Sequence, residues 1–541
     1  MSLGRRDILS IAAAGAAAQA IAPSGPAQAQ AAAATPKRGG ILKRYLPDSP
    51  ASVSVLEETT ISVIAPMMPV FNNLVIYDPA IPQTSIHTVR PELATGWSWS
   101  EDGRQLTFRL REGVTWHDGK PFTSADVVHT FNLITEKATD SFRVNPRKPW
   151  FSNLESITAT GPHEVVMKLE RRQPALLALL ASGHMPIYPA HVPTREMRQR
   201  PIGTGPFRFV EYKRGEHIRL ARNPNYWKPG RPYLDGIEYP IITNRATAIL
   251  AFVSGRVDMT SPGQVTIPLV RDIKAQAPEA ICKVIPTGVT TNVCINHTTE
   301  PFSNPQIRRA LALTLDRSEY IRVMTEGHAL QGGVLLPPPD GVWGLPAETL
   351  PSIPGYGGNL DQRRGEARRI MAGLGYGPDK PLQIKVSTRN LATYRDPAVI
   401  LISQIKHIFM EGTLETVETA RWGYKMQRKD YTIALNQTGG PVDDPDQQFF
   451  ENYGCDAIRN YTGFCDPEME KLYEAQSQEV DQAKRLDMAR EIDRRLQEAI
   501  ARPILFHNKA ATCWHPKVKG LMLVVNSQYN GWRMEDVWLD A

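Results

Sequence analysis

Residues 93–132 read LATGWSWSEDGRQLTFRLREGVTWHDGKPFTSADVVHTFN. Trp97, Trp99, Phe108 and Trp116 stand beside the turns EDG and HDG, as in a strand meander that buries one face. The segment continuing as FTSADVVHTFNLI opens with a capping box, Thr123 to Asp126. It then places Val127, Phe131 and Ile134 at helical spacing. A meander running into a capped amphipathic helix makes the chain mixed α/β.

Working outward, the same alternation of elements recurs. Strand-like runs include ILKRYL, EVVMKLE, FRFVEY, HIRLAR, LQIKVST and YTIALN. In SNPQIRRALALTL, Asn304 is the N-cap and Pro305 the first helical residue, with Ile307, Leu311 and Leu315 on one face. Asp316 and Glu319 open a further capping box. A long helix is expected over 467–500, with Leu486, Ala489, Ile492 and Leu496 as its inner stripe. Pro- and Gly-rich stretches such as LLPPPDGVWGLP read as surface connections within a domain.

The 541 residues are enough for two or three cores. The net charge of +6 is spread thinly, without the basic stripe that nucleic-acid binding needs. The N-terminus has a charged start, MSLGRRDILS, then the weakly apolar IAAAGAAAQAIA and small-residue A-x-A sites. That is the layout of a secretory signal over residues 1–30, and Arg5-Arg6 resembles a twin-arginine signal. A periplasmic, Gram-negative type of location is expected. No later run of 18 uncharged apolar residues offers a membrane span.

The motifs of nucleotide, triad and metal chemistry fail. GVTWHDGK lacks P-loop spacing, and in GTGPFR Pro206 sits where a phosphate-cradling helix would begin. There is no G-x-S-x-G elbow and no H-E-x-x-H pair. The acids of VDDPD (Asp443, Asp444, Asp446) lack the glycine and distal Glu of a calcium loop and read as a solvated capping turn. No catalytic residue, metal or cofactor is expected. Of the five cysteines, Cys455 and Cys465 flank a polar loop long enough to close as a disulfide. Cys282 pairs with Cys294 across a turn near Gly288, or Cys513 takes either partner.

Four segments, 93–132, 201–242, 296–321 and 444–472, together resemble the peptide/nickel (family 5) extracellular solute-binding proteins. The second reads PIGTGPFRFVEYKRGEHIRLARNPNYWKPGRPYLDGIEYPII. Gly203 and Gly205 there suit a close chain crossing between lobes, and NPNYW sets turn residues before an aromatic anchor. The resemblance implies an α/β, two-lobe periplasmic binding protein fold, type II and cluster C-like, with hinge crossovers and an inserted subdomain. Lobe I would comprise 39–82, 203–285 and 511–541, the inserted subdomain 83–202, and lobe II 286–510. The chain would be a monomeric receptor, not an enzyme, with a periplasmic hydrolase, or a signalling receptor or chaperone using the same cleft, as the alternative readings. It would capture a peptide-like or other small solute between its lobes for the permease subunits of an ABC transporter.

The same resemblance nominates ligand contacts. Arg389 matches an arginine that grips a ligand carboxylate, with Arg395 as competitor, and Trp422 matches a pocket-side tryptophan. Glu58, Thr59 and Thr60 fall where relatives offer contacts from the first lobe, and Trp514 lies near the last crossover. Where dipeptide-binding relatives carry an aspartate for the ligand amino group, this chain has Gly440, or Gly439 under another gap placement. Asp443 substitutes only if its loop takes another path.

Overall fold

In this computed structural model, which describes residues 35–540, the meander and its helix form as read. The export signal with Arg5-Arg6 lies outside the described residues. Strands Ala94–Trp99 and Gln105–Leu110 pair antiparallel, and Glu164–Leu169 and Leu154–Gly161 complete a four-stranded sheet. Gly103 turns the first hairpin at φ 66°, where a side chain would be strained. Both hydrogen bonds of the Thr123–Asp126 capping box are present on helix Ser124–Ile134. Phe108 and Trp116 are buried, and the Trp116 indole donates to Asp126 at 3.2 Å.

This sheet shares one apolar core with a second four-stranded sheet. There, Ile41–Lys43 lies parallel to Gly236–Pro240, followed by His217–Arg222 and Phe207–Lys213. Gly203 and Gly205 do permit a close crossing, but not between lobes. A Cβ on Gly203 would stand 1.9 Å from the Val70 carbonyl oxygen, so both glycines seat the 68–71 backbone inside the first lobe. The NPNYW turn forms as read, with Asn225 N–H donating to the Asn223 side chain and Tyr226 buried.

The second lobe is built on a five-stranded mixed sheet in the order Met410–Val417, Leu382–Arg389, Ile433–Gly439, Ile281–Ile295 and Ile504–Trp514. Helix Pro305–Thr314, capped by the Asn304 side chain, packs Ile307 and Leu311 into its core. Strands Ile281–Ile295 and Ile504–Trp514 extend beyond this lobe. Their 282/513 end packs with Tyr45, Ala248 and Phe252, while their 293/505 end packs in the second lobe. The register between them shifts between Pro286 and Thr290, around Gly288 at φ 64°.

Three expectations are corrected here. Gly288 lies within a continuous strand, so Cys282 and Cys294 stand roughly 35–40 Å apart along it and cannot pair. Cys282 instead joins its ladder neighbour Cys513, Cys455 joins Cys465, and Cys294 remains a buried free thiol. The long helix is two, Pro467–Gln478 and Gln482–Glu498. The Asp481 side chain takes the N–H groups of Ala483 and Lys484 and starts the second afresh, with Ala489, Ile492 and Leu496 inward. The VDDPD turn does cap a helix, through Asp444, but it is not solvated. Asp444 and Asp446 are buried, and Arg485 donates to Asp444 at 2.7 and 2.8 Å and to Asp446 at 3.1 Å.

Candidate ligand-binding cleft

Between the lobes lies a cleft enclosing about 1330 Å³, part of it open to solvent. The first lobe contributes residues 57–62, which lead into helix Ile61–Met67. Arg143 and Pro146 come from the segment after the meander helix, and Gln528 and Tyr529 from near the C-terminus. The second lobe contributes the end of strand Leu382–Arg389, helix Thr419–Gln427, strand Ile433–Gly439 and the segment around Arg459 and Tyr461.

Five of the residues nominated from sequence border this cleft: Glu58, Thr59, Thr60, Arg389 and Trp422. Thr60 ends the loop before its helix in extended conformation, and its hydroxyl has no hydrogen-bond partner. Glu58 accepts from the Ser52 hydroxyl at 3.0 Å. Burial away from water, reinforced by the neighbouring Glu57, pushes its carboxyl up to about 7. Trp422 is buried against Met426, Tyr431 and Tyr461, presenting an apolar patch to the cleft.

Arg389 is held differently from a free anchor. It reaches across the cleft to Asp48 of the first lobe, Nη2 to Oδ2 at 2.5 Å. It also donates to the Thr419 hydroxyl through Nε at 3.1 Å and to the Tyr394 hydroxyl at 3.0 Å. Asp48 accepts from Thr419 and Ser62 as well. A protein carboxylate therefore already occupies the position in which a bidentate ligand carboxylate would bind.

The other four nominations do not border it. Arg395 is exposed on helix Ala392–Ile405 and faces a separate depression beside Tyr45 and Asn244. Trp514 is buried in the core, because its strand continues into the first lobe and bridges Met259. Gly440 donates its N–H to Gly288 and is covered by Gln447 and Gln448. Asp443 turns toward Asn526, away from the cleft, and burial pushes its carboxyl up to about 7. The adjacent Gly439 is informative: a Cβ there would meet the Tyr529 ring at 2.5 Å. Tyr529 fills the space that an aspartate at this position would need.

Asp48, Tyr394, Thr419, Arg459, Tyr461 and Tyr529 were not nominated, yet they shape the cleft. Arg459 and Tyr461 fall within the resembling segment 444–472 but were given no role there, and the others come from segments without a local motif. The only signal available was that a buried arginine needs a partner, which does not say where the partner lies in the chain.

The model for bacterial extracellular solute-binding proteins, family 5, matches residues 88–460. A di/tripeptide-binding protein of Pseudomonas aeruginosa is 25% identical over 480 residues, spanning 81% of this chain and 85% of the relative. Among solved structures, the peptide-bound DppA of Helicobacter pylori superposes with TM-score 0.82 at 20% identity, covering 93% of this chain and 99% of that one. AgaA of A. tumefaciens R10, solved with agropinic acid, superposes at 0.80 with 23% identity, covering 93% and 99%. Among the described residues no helix is long and apolar enough to cross a membrane. With the family model matched over more than half its length, the chain belongs to the family 5 bacterial extracellular solute-binding proteins, the substrate-binding components of ABC importers rather than enzymes.

Proposed function

We propose that this protein is a monomeric periplasmic receptor that captures one small solute between its lobes, closes on it and presents the closed form to its permease. The observation that carries this reading is the cleft itself, with walls from both lobes and the Asp48–Arg389 contact spanning it. Export through the twin-arginine signal at Arg5-Arg6 belongs to the same reading. Replacing both residues by Lys should retain the protein in the cytoplasm; undiminished export would point to the general secretory route.

The ligand we propose is a peptide-like or conjugated solute without a free α-amino group. Tyr529 occupies the space beside Gly439, and the acid at 443 faces elsewhere. Of the cleft carboxyls, Asp48 is held by Arg389 and Glu57 by Arg198 at 2.8 Å, which leaves Glu58 with its raised pKa. Glu58, Thr59, Thr60 and Trp422 are the proposed ligand-side residues, with Arg389 bordering the cleft but engaged by Asp48. Native mass spectrometry of the purified protein should show a co-purified small molecule. Calorimetry should then rank N-acylated compounds above their free-amine counterparts. Preference for the free amine would defeat the specificity, and chemical conversion of the bound compound would defeat the receptor reading.

A further inference from the structure

We infer that the cleft contains a seat for an acidic group of the ligand, a carboxylate or phosphate, on Arg459 rather than on Arg389. The inference rests on the receptor reading and deepens it. Three guanidinium groups, Arg147 from the segment after the meander helix and Arg459 and Arg502 from the second lobe, are buried where the two sides meet, at 0%, 6% and 1% exposure, and among the described residues the one carboxylate bonded to any of them is Glu451. Glu451 is fully used. It accepts from Arg147 at 3.1 Å, Arg459 at 2.5 Å, the Trp150 indole at 2.9 Å and Gln447 at 2.5 Å. Arg502 donates only to neutral acceptors, the carbonyls of Asn452 and Arg459 and the side chains of Thr438 and Asn452. Two further buried acids of the second lobe, Asp444 and Asp446, are taken by Arg485.

This junction therefore holds more positive charge than its own carboxylate balances, in surroundings where an unpaired charge is costly. Arg459 is the member of the three that borders the cleft, next to Tyr461 and Tyr529. Its Nε is buried without an acceptor, while Nη1 is fixed by Glu451. A planar fork pinned at one end suits an oxyanion, which would supply the missing countercharge. Arg389 has no such vacancy, because Asp48, Thr419 and Tyr394 already take its donors.

The test is calorimetry on matched pairs that differ only in the acidic group. N-acetyl-dialanine against its carboxamide reads a carboxylate, and glucose 6-phosphate against glucose reads a phosphate; any co-purified compound is identified by mass. One acid should bind about 10- to 100-fold more tightly than its neutral partner. Arg459→Gln should reduce that ratio to about twofold or less. Arg459→Lys, which keeps the ion pair with Glu451 and hence the local fold, should retain part of it because an ammonium lacks the fork. Equal binding of acid and neutral partner, a neutral or cationic co-purified compound, or a ratio that survives Arg459→Gln would overturn the seat and leave the receptor reading standing. A protein that binds no member of either pair and carries no co-purified compound overturns both.

Discussion

Asp48 and Arg389 come from opposite lobes, and both side chains are nearly excluded from water. Each alone would be a poorly solvated charge, so removing one should harm the protein almost as much as removing both. In a double-mutant cycle of Asp48→Ala and Arg389→Ala, thermal unfolding should give a coupling energy of about 1–3 kcal/mol. Additive effects would show that the two charges act independently. Glu58 offers a second test at this scale. Its folded pKa, about 7, is raised above the ordinary 4.5, so the fold prefers the protonated form. The stability linked to this group is present in full below about pH 4.5 and is lost as pH rises through about 7. Melting temperature should therefore fall more steeply from about pH 5 to 8 in the wild type than in Glu58→Gln. Parallel profiles would place the titration elsewhere.

At the scale of elements, the sequence was most readable where the determinant is local. The Thr123–Asp126 box and the Asn304-Pro305 start act within one helical turn, and both formed as read. The stop at Gln478 was missed because the apolar stripe continues on both sides of it, while the restart depends on one short polar residue, Asp481. The solvated reading of VDDPD failed because its partner, Arg485, lies about forty residues on in another helix. The cleft was half readable. Arg389 and Trp422 sit in segments that resemble the family, whereas Asp48 is 341 residues from the arginine it pairs with. Cysteine pairing shows the same limit, since Cys455–Cys465 closes 10 residues of chain and Cys282–Cys513 closes 231. In the chain-entropy account the long loop contributes about 5 kcal/mol and the short one about 2–3 kcal/mol. Cys282→Ser should thus lower the melting temperature more than Cys455→Ser. Alkylation without reductant should add one group to the denatured protein, at Cys294, and none to the native one. Three or more adducts would refute the pairing.

At the scale of the whole molecule, the lobes are joined by long strands whose register shifts near Gly288 and are tied across the cleft by Asp48 and Arg389. These features act in opposite senses. The shifted register interrupts regular pairing between Pro286 and Thr290, where the backbone is freest to bend. The ion pair favours the closed arrangement even without ligand. A ligand that touches both walls adds contacts available only on closure, so it moves the population further the same way. Small-angle scattering should therefore show a smaller radius of gyration when the co-purified compound is added back to stripped protein. Ligand-free Arg389→Ala should scatter as a more open ensemble than ligand-free wild type, because one tie is gone, leaving those of Glu451 to Arg147 and Trp150, while the joining strands are untouched. Saturating ligand should bring the two together again, since the proposed ligand-side residues Glu58, Thr59, Thr60 and Trp422, which line the cleft, are unchanged. At a free ligand concentration a hundred times its Kd, mass action alone should add about 2.7 kcal/mol to the wild-type stability. A radius of gyration unchanged by ligand would refute closure. Identical ligand-free curves for wild type and Arg389→Ala would show that the Asp48–Arg389 pair does not hold the lobes together in solution.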